Sequence, residues 1–316
     1  MFNKISMDWR MILMTTNIKK QASKFKVTLL GTGCPVVSLD RFGNTTLVEI
    51  GEKKLVFDVG RGAVLRLSQL DIFPGEIDEV FLTHLHSDHL VGFPDLWLSG
   101  VIPTLGKRAK LLKLRGPEGT KQMASHLEKA FSKDINARIA HGTIHPRGAQ
   151  IEAYDYEEGL IYDEEGIKIT AFLVDHGTIK PCYGFRIDYE GHSILISGDT
   201  KYNENLIRHS RNVDLLIHEV AAASLDAANP ETIRHIMDIH TTPEQAGEIF
   251  KRVKPKLAVY THIVLLGGIT EEEADLIGRT KEIYSGDVLV GEDLMSFEIG
   301  DEIKVNYPKK VVSMTI

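Results

Sequence analysis

FLTHLHSDHLVG, residues 81–92, is the stretch on which the reading of this chain turns. The apolar run DEVFLT (78–83) reads as a strand, and just past its end come His84, His86, Asp88 and His89. Successive side chains of a strand alternate faces, so His84 and His86 share one side. A turn or short helix would then bring Asp88 and His89 to the same point. Three imidazoles and a carboxylate within six residues are N/O donors suited to Zn²⁺, and also to Mn²⁺ or Fe. One His-x-His pair would read as a polar loop; the full set, directly after an apolar strand, reads as a metal site.

Such a site needs further donors at other strand ends. LVDHG (173–177) offers His176, ISGDT (196–200) offers Asp199 and VYTHI (259–263) offers His262. Each follows an apolar run. Alone, each reads as a capping or loop residue; beside the first cluster, they read as its complement.

Working outward, FKVTLLG (25–31), TTLVEI (45–50), KLVFDV (54–59) and KLLKLRG (110–116) have strand character. So do IKITAFLV (167–174), YGFRIDY (183–189), SILISGD (193–199), DLLIHEV (214–220), LAVYTH (257–262) and two short runs after 286. Residues 62–70, 94–102, 118–131, 204–210, 243–253 and 272–283 have helical spacing. Strand-rich halves, each carrying helices, imply two sheets packed face to face with helices outside, an α/β sandwich in a single domain over residues 25–316. Residues 1–24 read as a poorly patterned leader. Their apolar stretch is broken by Asp8 and Arg10 and is too short for a secretory signal, so a cytoplasmic location is expected.

Composition sets the bounds. With 316 residues, 43% hydrophobic and 26% charged, the chain can bury a sizeable core and remain soluble. No apolar run approaches the roughly 18–20 residues of a membrane span. A net charge of -7 argues against holding nucleic acid by bulk charge alone. The only cysteines, Cys34 and Cys182, exclude a disulfide scaffold and an all-thiolate zinc site, and both read as small buried residues.

HLHSDH (84–89) followed by His176, Asp199 and His262 resembles the metallo-β-lactamase superfamily, and the likeness runs from about Leu29 to His262. The resemblance implies a four-layer αβ/βα sandwich with two divalent metal ions at one edge, Zn²⁺ foremost. By that resemblance His84, His86 and His176 hold one metal, Asp88, His89 and His262 the other, and Asp199 bridges them. LGTGCP (30–35), THLHSDHLVGFPDL (83–96), RGPEGT (115–120), HEVA (218–221) and HTTPEQAG (240–247) are similar to the tRNase Z and arylsulfatase-like branch. KPCYGFRIDY (180–189) and SGDTKYNENLI (197–207) look closest to its arylsulfatase-like members. In tRNase Z enzymes a Glu orients a His of a later motif, which maps to Glu219 and His240.

The chemistry supports that pair. Ester hydrolysis needs a nucleophile, charge stabilisation and a proton for the leaving oxygen. Two metals roughly 3.5–4 Å apart supply the first two, holding a bridging hydroxide and polarising the ester. A His outside the metal shell, held by a carboxylate, is a suitable general acid. Asp88 counts among the catalytic residues as well as the ligands. The competing reading of His240 is a helix cap before Pro243, which Thr241 or Thr242 would serve equally. Asp58, in VFDVG (56–60), is expected to accept a hydrogen bond from a ligand His and fix its tautomer, with Thr83 supporting it.

One departure matters. Many tRNase Z enzymes insert a tRNA-gripping arm where this chain has only YEGHSILI (189–196), the length of a hairpin. The basic stretch KRAKLLKLR (107–115) reads as an amphipathic strand with a solvated face rather than a phosphate contact. The expectation is therefore a dinuclear-metal hydrolase of a small phosphate or sulfate ester. The alternative is a tRNase Z-type endoribonuclease processing RNA 3′ ends, with lactone or thioester hydrolysis ranked lower. By resemblance the chain is expected to form a homodimer, with no membrane partner.

Overall fold

The FKVTLLG run is buried almost throughout, as a strand covered on both faces must be, and it anchors the first of two sheets. The computed structural model describes residues 25–224 and 229–308; the leader expected at 1–24 lies outside them. In chain order the strands are β1 (Phe25–Gly31), β2 (Thr45–Ile50), β3 (Lys53–Phe57), β4 (Glu79–Phe81), β5 (Leu112–Gly116), β6 (Ile151–Asp155), β7 (Gly159–Glu164) and β8 (Ile167–His176). β9 (Ile179–Tyr189), β10 (His192–Ile196), β11 (Leu215–Ala223), β12 (Leu257–Leu266), β13 (Val288–Val290), β14 (Ser296–Glu298) and β15 (Lys304–Asn306) follow. One sheet runs β15-β14-β1-β2-β3-β4-β5-β6 and the other β13-β12-β11-β10-β9-β8-β7.

Alternation along these strands builds the layers. Val27, Leu29, Phe57, Phe81, Phe185, Ile187, Ile217 and Val259 point between the sheets. Leu30, Val56, Val80, Phe93, Trp97 and Leu114 form the outer core of the first sheet under α1 (Ala63–Gln69), α2 (Phe93–Gly100), α3 (Thr120–Ala130) and α4 (Ser132–Ala140). On the second sheet Leu195, Leu216, Phe250, Ala258 and Tyr260 do the same under α5 (Glu204–His209), α7 (Pro243–Val253), α8 (Glu271–Ala274) and α9 (Leu276–Lys281), while α6 (Pro230–Met237) packs Ile236 and Met237 on a separate small cluster with Cys34, Ala221 and Val264. The result is the expected four-layer αβ/βα sandwich. Strands β3 to β6 are mutually parallel, as are β10 to β13, so the loops leaving their C-terminal ends gather at one edge.

Some readings change. The single helix expected over 272–283 is broken at Asp275, whose φ is 41° and whose carboxylate caps the next helix by accepting from the Gly278 amide. The amphipathic strand expected within 107–115 forms, with Leu112 and Leu114 buried and Lys113 and Arg115 on the partly exposed face, but Arg108 departs from the expected solvated face. Arg108 is buried and donates to the carbonyls of Trp97 and Gly148, Arg115 pairs with the buried Glu79, and Lys110 and Lys113 pair with Asp78 and Glu164. The hairpin expected in place of an arm is present. Tyr189 faces His192 across Glu190 and Gly191, both at positive φ, as a two-residue type I′ turn requires. No helix among the described residues is long and apolar enough to cross a membrane.

Candidate metal centre

The site grows from the C-terminal strand ends. β4 stops at Phe81, and the chain passes through Leu82 and Thr83 into a short 3₁₀ turn at Ser87–His89. This carries His84, His86, Asp88 and His89 across the sheet edge. His176 ends β8, Asp199 follows β10, Glu219 lies within β11, His240 precedes α7 and His262 lies within β12. His262 occupies a break in the β11–β12 ladder: Glu219 pairs with Thr261 and Val220 with Ile263, leaving His262 unmatched at φ 42°. A bulge of this kind re-aims one side chain without ending the strand. Asp58, at φ 56°, turns the chain out of β3 beneath the same point.

These residues meet. Oδ2 of Asp199 lies 3.2 Å from Nε2 of His89, 3.3 Å from that of His262, 3.7 Å from that of His176 and 3.9 Å from that of His84. Asp88 Oδ2 is 3.2 Å from His262 Nε2 and 3.4 Å from His89 Nε2. His84 Nε2 is 3.0 Å from His86 Nδ1. The donor atoms fall into sets with the spacing of metal ligands: His84, His86 and His176; Asp88, His89 and His262; and Asp199 with His84 and His89. All are buried except His86, which is half-buried and marks the open side.

The outward-facing nitrogens fix the tautomers. His84 Nδ1 is 2.9 Å from Thr83 Oγ1, His89 Nδ1 2.8 Å from Asp58 Oδ2, and His176 Nδ1 3.0 Å from the Ile239 carbonyl. A ring N–H donated outward turns the Nε2 lone pair inward, the arrangement a metal-ligating His needs. Asp58 also accepts from the Thr83 amide and hydroxyl and from Asn44 Nδ2.

The charges fit a cation. Burial depresses the pKa values of His84 and His176, keeping both rings neutral. Burial also opposes charge on His89, but Asp199 and Asp58 outweigh it and hold that ring's pKa well above the ordinary value. Three carboxylates thus demand positive charge at this point. His89 Nε2 and Asp199 Oδ1 are buried without a hydrogen-bond partner, although unsatisfied buried polar atoms are costly. A divalent cation among these atoms satisfies both conditions.

Beside this cluster sits a second unit. His240 Nδ1 is 3.0 Å from Glu219 Oε1, which also accepts from the Thr200 amide at 3.0 Å and the Thr241 amide at 3.3 Å. Burial opposes protonation of His240, yet Glu219 outweighs it and the pKa is pushed up to about 9. His240 groups with His176 and Asp199 at ligand spacing, so its ring borders the cluster. The capping role belongs to Thr242, whose side chain accepts from the Gln245 amide.

Every site residue expected from the sequence is brought together here. Asn44, Ser197, Thr200 and Thr241 were not anticipated. Asn44 bonds Asp58 and accepts from Thr261 Oγ1, joining the two sheets beneath His262. Thr200 and Thr241 stand inside SGDT and HTT, a signal that could have been used. Asn44 carries no such signal.

The comparisons agree with this geometry. A family model described as a beta-lactamase superfamily domain matches residues 56–263. Ribonuclease Z of Mycobacterium bovis (strain BCG / Pasteur 1173P2) is 32% identical over 276 residues, covering 87% of this chain and 98% of that protein. Ribonuclease Z of Mycobacterium marinum is 30% identical with the same coverage. Human tRNase Z, short form, superposes with a TM-score of 0.62 at 25% identity over 87% of this chain and 99% of its own. The metallo-β-lactamase fold protein YhfI of Bacillus subtilis gives 0.68 at 21% identity, covering 86% and 98%. Fold, donor cluster and sequence relatives therefore coincide, and the chain belongs to the metallo-β-lactamase superfamily, in its tRNase Z branch, as a metal-dependent hydrolase of ester bonds.

Proposed function

We propose that this protein is an endoribonuclease of the tRNase Z type that cleaves RNA precursors at their 3′ ends with two bound Zn²⁺ ions. The observation that carries the reading is the end-to-end match to ribonuclease Z relatives, combined with the buried Glu219–His240 pair. The short β9–β10 hairpin had weighed toward a small ester. Yet a ribonuclease Z matched over 98% of its own length leaves little of that relative without a counterpart here. The alternative reading thus displaces the arylsulfatase-like one.

In this proposal His84, His86 and His176 would hold one ion and Asp88, His89 and His262 the other, with Asp199 available to both sets. When bound, the metal pair supplies Lewis acidity and a water of lowered pKa. The chain's own residues do the rest. Asp58 and Thr83 hold the ligand imidazoles in the tautomer that presents Nε2. Glu219, fixed by two backbone amides, accepts from His240 Nδ1 and favours the protonated ring, with its free edge toward the cluster. His240 is then the group that gives a proton to the departing ribose oxygen.

The test is the zinc-loaded protein on a precursor tRNA with a 3′ trailer, beside bis-aryl phosphates, aryl sulfates and lactones. Defined cleavage of the precursor at the trailer junction is expected. Turnover of the small esters with an intact precursor would overturn the RNA reading. That outcome is the one the hairpin and the net charge of -7 favour.

A further inference from the structure

His218 lies beside the proposed machinery and meets it only through the backbone of Glu219. Neighbouring residues of a strand face opposite ways, so Glu219 points to the site and His218 points back toward α7, its ring edge-on to Phe250 at 5.8 Å. It is fully buried, and burial pushes its pKa down, so the ring is neutral. Nδ1 lies 2.6 Å from the Glu219 carbonyl, while Nε2 has no partner. A bare buried nitrogen is destabilising, and a leucine would occupy the site without one. The sequence tolerates that cost at the point where the β11–β12 ladder breaks.

At that break the backbone leaves the ladder. The Ile263 amide donates to the Thr32 carbonyl and the Ala221 amide to the Thr241 carbonyl. The Glu219 amide donates to Ser197 Oγ at 3.0 Å. Glu219 is therefore gripped at its N–H by Ser197 and at its carbonyl by His218.

We infer that His218 is a positioning residue. Its Nδ1–H clamps the Glu219 carbonyl and so sets the bulge from which His262 is aimed at the metal cluster and Glu219 at His240. The inference rests on the proposed reading of that cluster as a metal centre. It goes beyond that reading by assigning the bulge a residue that maintains it.

The test compares three variants by zinc affinity in chelator competition, by melting temperature and by hydrolysis of a bis-aryl phosphate. His218→Asn places an amide N–H as far along the side chain as imidazole Nδ1, His218→Gln places it one atom too far, and His218→Leu has none. The leucine and glutamine variants are expected to lose about 10- to 100-fold in zinc affinity and turnover, as losing a group that supports a metal ligand does. The leucine variant should keep its melting temperature, and asparagine should recover most of both losses. Native zinc affinity in the leucine variant, or asparagine as impaired as leucine, would overturn the inference. If leucine prevents folding, the asparagine–glutamine contrast decides: equal values overturn it. Zinc affinity needs no substrate, so a protein that binds zinc but leaves RNA intact sinks the RNA reading alone.

Discussion

The two ends of β4 carry buried charge in opposite ways. At its start Glu79 is closed by Arg115, whose guanidinium also lies over the Tyr154 ring, with Asp78–Lys110 and Glu164–Lys113 pairs around it. A cleft of about 240 Å³ opens there, and in each of these pairs a carboxylate meets a cation. Past its other end, from His84 on, lie six imidazoles and two carboxylates at ligand spacing with no Lys or Arg paired to them among the described residues, and with buried donor atoms left over. Burial and charge are common to both ends. What differs is closure: a buried charge that finds its counter-charge within the chain supports the fold, and one that does not requires something from outside.

That contrast can be broken by experiment. Asp88→Ala should have the largest effect, taking turnover to background and removing one of two bound metal ions. Unchanged metal stoichiometry and rate would end the assignment. Next, His240→Ala should keep both metals yet lose about 10²–10⁴-fold in rate on substrates with poor leaving groups. An equal loss across leaving groups would show that His240 is not the proton donor. Asp58→Asn should weaken metal binding and turnover about 10- to 100-fold, measured by chelator competition. Native affinity would make Asp58 a turn residue only.

A pH measurement sharpens the second of these. In metal-free protein the folded His240 titrates near 9, above the ordinary value of 6.5. The Glu219–His240 pair therefore stabilises the fold fully below pH 6.5, and that contribution is lost as pH rises through 9. NMR titration of His240 with and without Glu219→Gln checks this, and a pKa unmoved by the substitution would refute the coupling. The smallest functional effect belongs to the closed end. Glu79→Gln should leave metal content and turnover alone while costing about 1–3 kcal/mol of stability by urea unfolding. A change in metal binding there would collapse the distinction between the two ends.

How much was legible in advance depends on range. His84 to His89 could be read because the donors follow one another at a strand end, and His176, Asp199 and His262 because each follows its own apolar run. β6, β7, α4 and α6 were not called, since IEAYD, GLIYDE, SKDINARIA and PETIRHIM carry short or mostly exposed patterns. Arg108 was misread as solvated because nothing local says that the carbonyls of three separate segments, at Pro74, Trp97 and Gly148, will surround it. Asn44 was missed for the same reason: it works through Asp58 and Thr261, on different sheets.

The sequence alone determined the kind of chemistry, because donor identity and the apolar runs before each donor are written locally along the chain. The tertiary structure decided which nitrogen of each ring faces inward, that Asp199 stands at the centre, and that β11 and β12 slip by one residue beneath it. Those outcomes depend on hydrogen bonds between residues as far apart as Asp88 and His262. Such pairings exist only once two sheets have closed on each other and excluded water from the edge between them.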